Sequence, residues 1–108
     1  RLRSAAAEKA TAARPRAQER LREGDVREQR RSEDRARRAA QRALQAAEAD
    51  VERLDARVAD LTMRLDDPSL YASLDGVQRA RELSAELEVT KRELAEAVGR
   101  WESVAGAE

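Results

Sequence analysis

From Leu44 to Leu65 the apolar residues stand at Leu44, Ala47, Val51, Leu54, Val58, Leu61 and Leu65, an unbroken alternation of three- and four-residue steps. The pattern stops at Asp66-Asp67-Pro68 and resumes as Ala80, Leu83, Leu87, Thr90, Leu94, Ala97, Trp101 and Val104. Residues at this spacing share one face of an α-helix. Two such seams on either side of a short connector containing proline predict an all-α fold: an antiparallel two-helix coiled-coil hairpin whose arms cover each other's stripe. A hairpin of this kind has no enclosed pocket, so its surface and its ends are left to carry the function.

Composition confines the core to the same stretch. Of 18 Leu and Val residues, 15 lie between Leu44 and Val104, and much of the remaining apolar content is alanine. The first 43 residues therefore cannot bury a core of their own. The chain has no Cys, no His and no Phe. A disulfide framework and thiolate metal sites are excluded, and a cytoplasmic setting is expected. No run of apolar residues is long enough for a signal peptide or a membrane span. The chain begins at Arg1, and it reads as part of something longer.

A net charge of zero conceals a polarity. Residues 1–43 hold 14 Arg/Lys and 7 Asp/Glu, and residues 44–108 hold 8 and 15. The front of the chain is basic and the hairpin acidic.

Residues 1–24 are expected to form a flexible, charged, partly helical linker. Ser4 to Ala13 is rich in alanine, Arg14-Pro15 should interrupt a helix, and Gly24 should end one. The hairpin is expected over residues 25–108. Asp25 with Glu28 has capping-box form, which predicts a first arm over about 26–65; Ser32 is an alternative start. The connector spans 66–73, with Asp67 as N-cap and Pro68 as first residue of a single turn, and Leu70 and Tyr71 plugging the closed end. Ser73 is expected to cap a second arm over about 74–104, with Gly76 a weak point in it. Glu88 with Arg92 and Glu96 with Arg100 should pair along that arm. Pairing centred near residue 70 sets Trp101 against the small residues Ala36, Ala39, Ala40 and Ala43, and lets the first arm run past the second by ten or more residues.

In that extension Arg27, Arg31, Arg35, Arg38 and Arg42 fall within an arc of about 80° on a helical wheel, with Arg30 and Arg37 on a flank. A row of guanidiniums suits bidentate contact with phosphates. With no aromatic residue interleaved it has no means of stacking bases, and phosphate contact carries no sequence preference. The same row could be a solvated linker helix, with Glu33 and Asp34 neutralising Arg37 and Arg38. Asp66-Asp67 is a cap and turn pair rather than a metal site, and Trp101 belongs to the seam. No nucleophile–base pair and no glycine-rich phosphate loop is present, so no catalytic residue and no cofactor site is expected.

Several patches resemble one family. Leu65-Asp66-Asp67-Pro68-Ser69-Leu70-Tyr71, then Arg81-Glu82-Leu83, Leu87, Leu94 and Arg100-Trp101-Glu102, are similar to the C-terminal domain of the ABC-F ATPases, nearest in layout to the Uup type. The resemblance covers about residues 35–105. It implies a coiled-coil hairpin joined by a charged linker to the second of two ATP-binding cassettes, in a cytoplasmic protein that works on ribosomes or nucleic acid. It further implies that ATP and Mg belong to the cassettes of a parent protein and that the domain is a non-catalytic accessory; the short connector and Pro68 favour a monomeric hairpin over one opened into an intermolecular dimer. Its partners would be DNA, structured RNA, the ribosome or its own cassettes. The expected function is nucleic-acid binding, DNA favoured, through the arginine row; the alternative is a regulatory coiled coil docking on the cassettes or the ribosome. The family often has a second Asp-Pro pair where this chain has Ser73-Leu74-Asp75-Gly76. The N-terminal hairpin of bacterial release factors carries a comparable connector, but Arg100-Trp101-Glu102 fits it less well.

Overall fold

The structure is a computed structural model that describes the backbone of residues 2–107 and the side chains of residues 13–107. It has three helices, α1 (Leu2–Asp66), α2 (Pro68–Ala72) and α3 (Gly76–Gly106), and no strand among the described residues. The chain divides into two units, Arg1–Ala39 and Ala40–Glu108.

In the second unit the C-terminal part of α1 packs against α3 as a helical hairpin. All 15 seam positions named above are buried or half-buried, with Leu54 3%, Leu61 0%, Ala97 1% and Thr90 5% exposed. The Thr90 hydroxyl enters the seam because it donates to the Glu86 carbonyl at 2.8 Å, which satisfies it within its own helix. Arg57 reaches across the seam to Glu86 and along α1 to Asp60, 3.1 Å away, while Arg64 meets the same Asp60 at 3.2 Å. Glu86 hydrogen-bonds Arg57 and holds its guanidinium charged to still higher pH than usual.

Proline punctuates the closed end. Pro68 pushes Asp67 into extended backbone (φ −74°, ψ 118°), which stops α1 at Asp66. Asp67 then caps α2: its Oδ1 accepts from the Ser69 amide at 3.0 Å and the Ser69 hydroxyl at 2.9 Å, and these bonds hold its carboxyl below the usual range. Of the two expected plug residues, only Leu70 is buried. Tyr71 is 56% exposed and does something else: its hydroxyl donates to the Leu65 carbonyl at 2.8 Å, occupying one of the acceptors left open at the end of α1.

The start of the second arm differs from expectation. Ser73 does not cap α3; its hydroxyl donates back to the Leu70 carbonyl at 3.0 Å and it ends α2. Asp75 precedes α3 without a side-chain cap bond. Gly76 is no weak point. It is buried, and a Cβ there would lie 2.1 Å from the Leu70 carbonyl oxygen, so α3 can begin this close to α2 only with glycine. The expected Glu88–Arg92 and Glu96–Arg100 pairs do not form; Glu88 instead meets Lys91 at 3.6 Å.

The register also shifts. Arg57 pairs with Glu86, and Leu54 faces the same hollow as Thr90, so pairing is centred near Ala72 rather than residue 70. Side chains on a helix lean toward its N-terminus. Trp101 therefore reaches back along the hairpin to Glu48, Val51 and Glu52 rather than to the small-residue cluster around Ala40.

In the first unit the helix does not break where the sequence suggests. Pro15 lies inside α1, and Gly24 continues it with ordinary helical φ. One internal proline costs roughly 3 kcal/mol and one glycine about 1 kcal/mol. The flanking Ala, Arg, Glu and Gln residues are among the strongest helix formers and offset these costs. Asp25 consequently starts nothing. The looseness expected of residues 1–24 falls in part on residues 1–12, whose side chains lie outside the described set. No helix among the described residues is long and apolar enough to cross a membrane.

Candidate nucleic-acid interface

The arginine row lies on a helical segment that buries nothing. From residue 13 to residue 39 every side chain is exposed, and only Gly24 is partly covered. Arg27, Arg30, Arg31, Arg35, Arg37 and Arg38 belong to this first unit, and Arg42, equally exposed, belongs to the second. Steps of three and four residues return to one side of a helical cylinder, so Arg27, Arg31, Arg35 and Arg38 share a face and Arg30 and Arg37 flank it.

What the sequence reading missed is how acids divide the row. Glu28 is a bridge: its two carboxylate oxygens take Arg31 at 3.3 Å and Arg35 at 3.2 Å. Those contacts, the Arg35 hydrogen bond first and the Arg31 charge second, hold Glu28 below the usual carboxylate range. Asp34 accepts Arg37 at 2.7 Å on its carboxylate and Arg38 at 3.3 Å on its backbone carbonyl. Glu33, the expected partner of Arg37, instead accepts from Gln29 at 3.3 Å. Among the described residues, no ion pair or hydrogen bond engages the side chains of Arg27, Arg30 or Arg42. The signal for the Glu28 bridge was present in the sequence, since positions three and seven residues further on share its face.

The row is thus graded. Arg27 and Arg30 are unengaged, Arg31 and Arg35 share one carboxylate, and Arg37 has a carboxylate of its own. Every one of these pairs is solvent-exposed, with side chains more than half accessible. Pairs of this kind are weak and exchange readily, so phosphate oxygens can replace the carboxylates.

The remaining candidates resolve into structural roles. Tyr71 caps α1 and Asp67 caps α2, as described. Trp101 is half-buried in the seam, and its Nε1 finds no acceptor within the protein. A hollow of about 520 Å³ beside the connector is lined by Arg64, Asp67, Ser69, Arg79, Glu82 and Glu86 among others, and within it the Ser69 hydroxyl is held by the Asp67 cap. No group of three or more metal-ligating side chains gathers among the described residues.

Residues 35–105, roughly two thirds of the chain, match the model of the ABC transporter C-terminal domain family. No curated protein and no solved structure matches the chain. The family match takes in both seams, the connector and Trp101. Of the arginine row it includes Arg35, Arg37, Arg38 and Arg42, while Arg27, Arg30 and Arg31 precede it. The match agrees with the connector and Arg-Trp-Glu resemblance to the C-terminal domains of ABC-F type proteins, and the chain belongs to the ABC transporter C-terminal domain family.

Proposed function

We propose that this chain is a non-catalytic accessory domain of an ABC-type ATPase and binds nucleic acid, duplex DNA in preference, by phosphate contacts from the arginine-rich segment of α1. The observation that carries this reading is the segment itself: from Arg27 to Arg38, six exposed arginines on a stretch of α1 with no buried side chain, two of them with no ion pair or hydrogen bond among the described residues. Arginine is worth most where its planar fork meets phosphate. A helix that spends no surface on a core leaves its whole circumference for contact. ATP and Mg, in this reading, bind elsewhere in the parent protein, and the setting is cytoplasmic.

The test is binding of the 108-residue chain to duplex DNA and to structured RNA across a salt series. About five phosphate contacts give a log–log salt slope near −4 to −5 on DNA. Arg27→Gln and Arg30→Gln should each reduce the slope by about 1. Glu28→Gln should act oppositely, tightening binding by releasing Arg31 and Arg35. A slope near zero would sink the proposal.

One observation favours a second reading. Glu28 and Asp34 between them engage four of the arginines, which lowers the field the row projects. In that reading the hairpin docks on the parent's cassettes or on the ribosome and the arginines merely keep the helix hydrated. Salt-insensitive binding to an isolated ATPase core, with no affinity for DNA or RNA, would select it.

A further inference from the structure

The hairpin carries carboxylates that its own fold does not use. Glu48, Glu52 and Asp55 follow a four–three step on α1, fall within about 60° of one another on the helical wheel, and are exposed. Several other acids of the hairpin are occupied, Asp50 by Arg53, Asp60 by Arg57 and Arg64, Glu86 by Arg57 and Glu88 by Lys91, and those left unpaired elsewhere, such as Glu93 and Glu96, do not border the hollow at Trp101. No ion pair among the described residues engages these three. Beside them is a hollow of about 240 Å³ lined by Glu48, Val51, Glu52 and the half-buried Trp101. An aromatic face rimmed by two free carboxylates is matched to a guanidinium, which stacks on the ring while its N–H groups reach the oxygens.

The first unit supplies the complement. Residues 13–39 have no covered face, and even Leu21 and Val26 are 69% and 46% exposed. A helix polar on all sides is marginal by itself and gains from any partner that lies along it. Residues 1–39 carry 13 Arg/Lys against 7 Asp/Glu, and residues 40–108 carry 9 against 15. The helix with free arginines and the ladder with free carboxylates are of opposite sign, and the three-residue step from Arg27 to Arg30 matches the one from Glu52 to Asp55.

We propose that the Glu48–Glu52–Asp55 ladder and the hollow at Trp101 receive the arginine helix of a second copy of this chain, with Arg27 and Arg30 as the entering side chains. Each copy has one helix to give and one ladder to offer. The contact does not depend on nucleic-acid binding; where that also occurs, the two compete for the same arginines. Free carboxylates turn nucleic acid away from the ladder itself, which leaves a cationic protein surface as its occupant.

Sedimentation velocity on the full 108-residue chain tests this, run over a concentration series at about 50 mM and about 500 mM salt, where screening lengths differ several-fold. The expected result is a concentration-dependent dimer at low salt that dissociates at high salt. The single tryptophan should report the same transition, its emission changing with concentration only at low salt. Glu48→Arg with Glu52→Arg should abolish association while leaving far-UV helicity intact, since both side chains are exposed. Adding Arg27→Glu and Arg30→Glu to that variant should restore it by exchanging the signs. A chain that stays monomeric at every concentration at low salt overturns the proposal, as does a dimer indifferent to the Glu48 and Glu52 reversals.

Discussion

Residues 13–39 and residues 40–107 are built from nearly the same helix-forming alphabet of Ala, Arg, Glu and Gln, and they use it to opposite ends. In the second region a leucine, valine or alanine returns every three or four residues, and every seam position is at least half-buried. In the first, Leu21 and Val26 are isolated and exposed, and the helix rests on backbone bonds and exposed ion pairs alone. The difference lies in spacing more than in propensity. It separates a region that holds the fold from one free to make contacts outside it.

The largest break in that comparison is expected at the seam. Leu61 is fully buried, and Leu61→Ala should cost about 2–5 kcal/mol, read as a lowered urea midpoint. Leu21→Ala, in the other region, should leave the midpoint in place. Next come two glycines of one helix. Gly76→Ala forces a Cβ against the Leu70 carbonyl and should destabilise by about 1–3 kcal/mol, whereas Gly99, with nothing within 4 Å, should stabilise by about 0.5–1 kcal/mol when changed to Ala. Opposite signs from the same substitution in α3 would confirm that Gly76 is required by the closeness of α2. Smaller still, Tyr71→Phe removes the bond to Leu65 and should cost about 0.5–1.5 kcal/mol.

The smallest effect is a pH dependence in each region. Glu28 and Asp67 have carboxyls held below their ordinary range in the folded chain. Such groups add stability above the unfolded-state value, and that contribution is lost as pH falls through the lowered one. Helicity of the first region should therefore decline on the acid side of about pH 4, and Glu28→Gln should remove the dependence that belongs to that residue. Circular dichroism from pH 6 to pH 2 reads both.

How much of this was legible in the sequence follows the same division. The seam was readable residue by residue, because burial in a two-helix hairpin obeys one periodicity and nothing else competes with it. Asp67-Pro68 was readable too, as a local cap whose chemistry lies within three residues. Gly76 was not, because its role is set by the Leu70 carbonyl, a backbone atom that no pattern of side chains announces. Pro15 and Gly24 misled because breaker signals are weak against a long run of strong helix formers. The seat of Trp101 was displaced toward Val51 by a small shift in the centre of pairing and by the lean of its side chain. The arginine row was visible as a row, but its division by Glu28 depends on which rotamers the carboxylate and guanidiniums adopt.

Amide hydrogen exchange along α1 tests the central claim most directly, since one helix crosses from the region without a core into the region with one. Amides around Leu54 and Leu61 should exchange only through global opening of the hairpin, and those of residues 13–39 should exchange through local fraying, orders of magnitude faster. Uniform protection from Ala13 to Leu65 would contradict the account, because it would mean the arginine-bearing helix draws its stability from the same cooperative core.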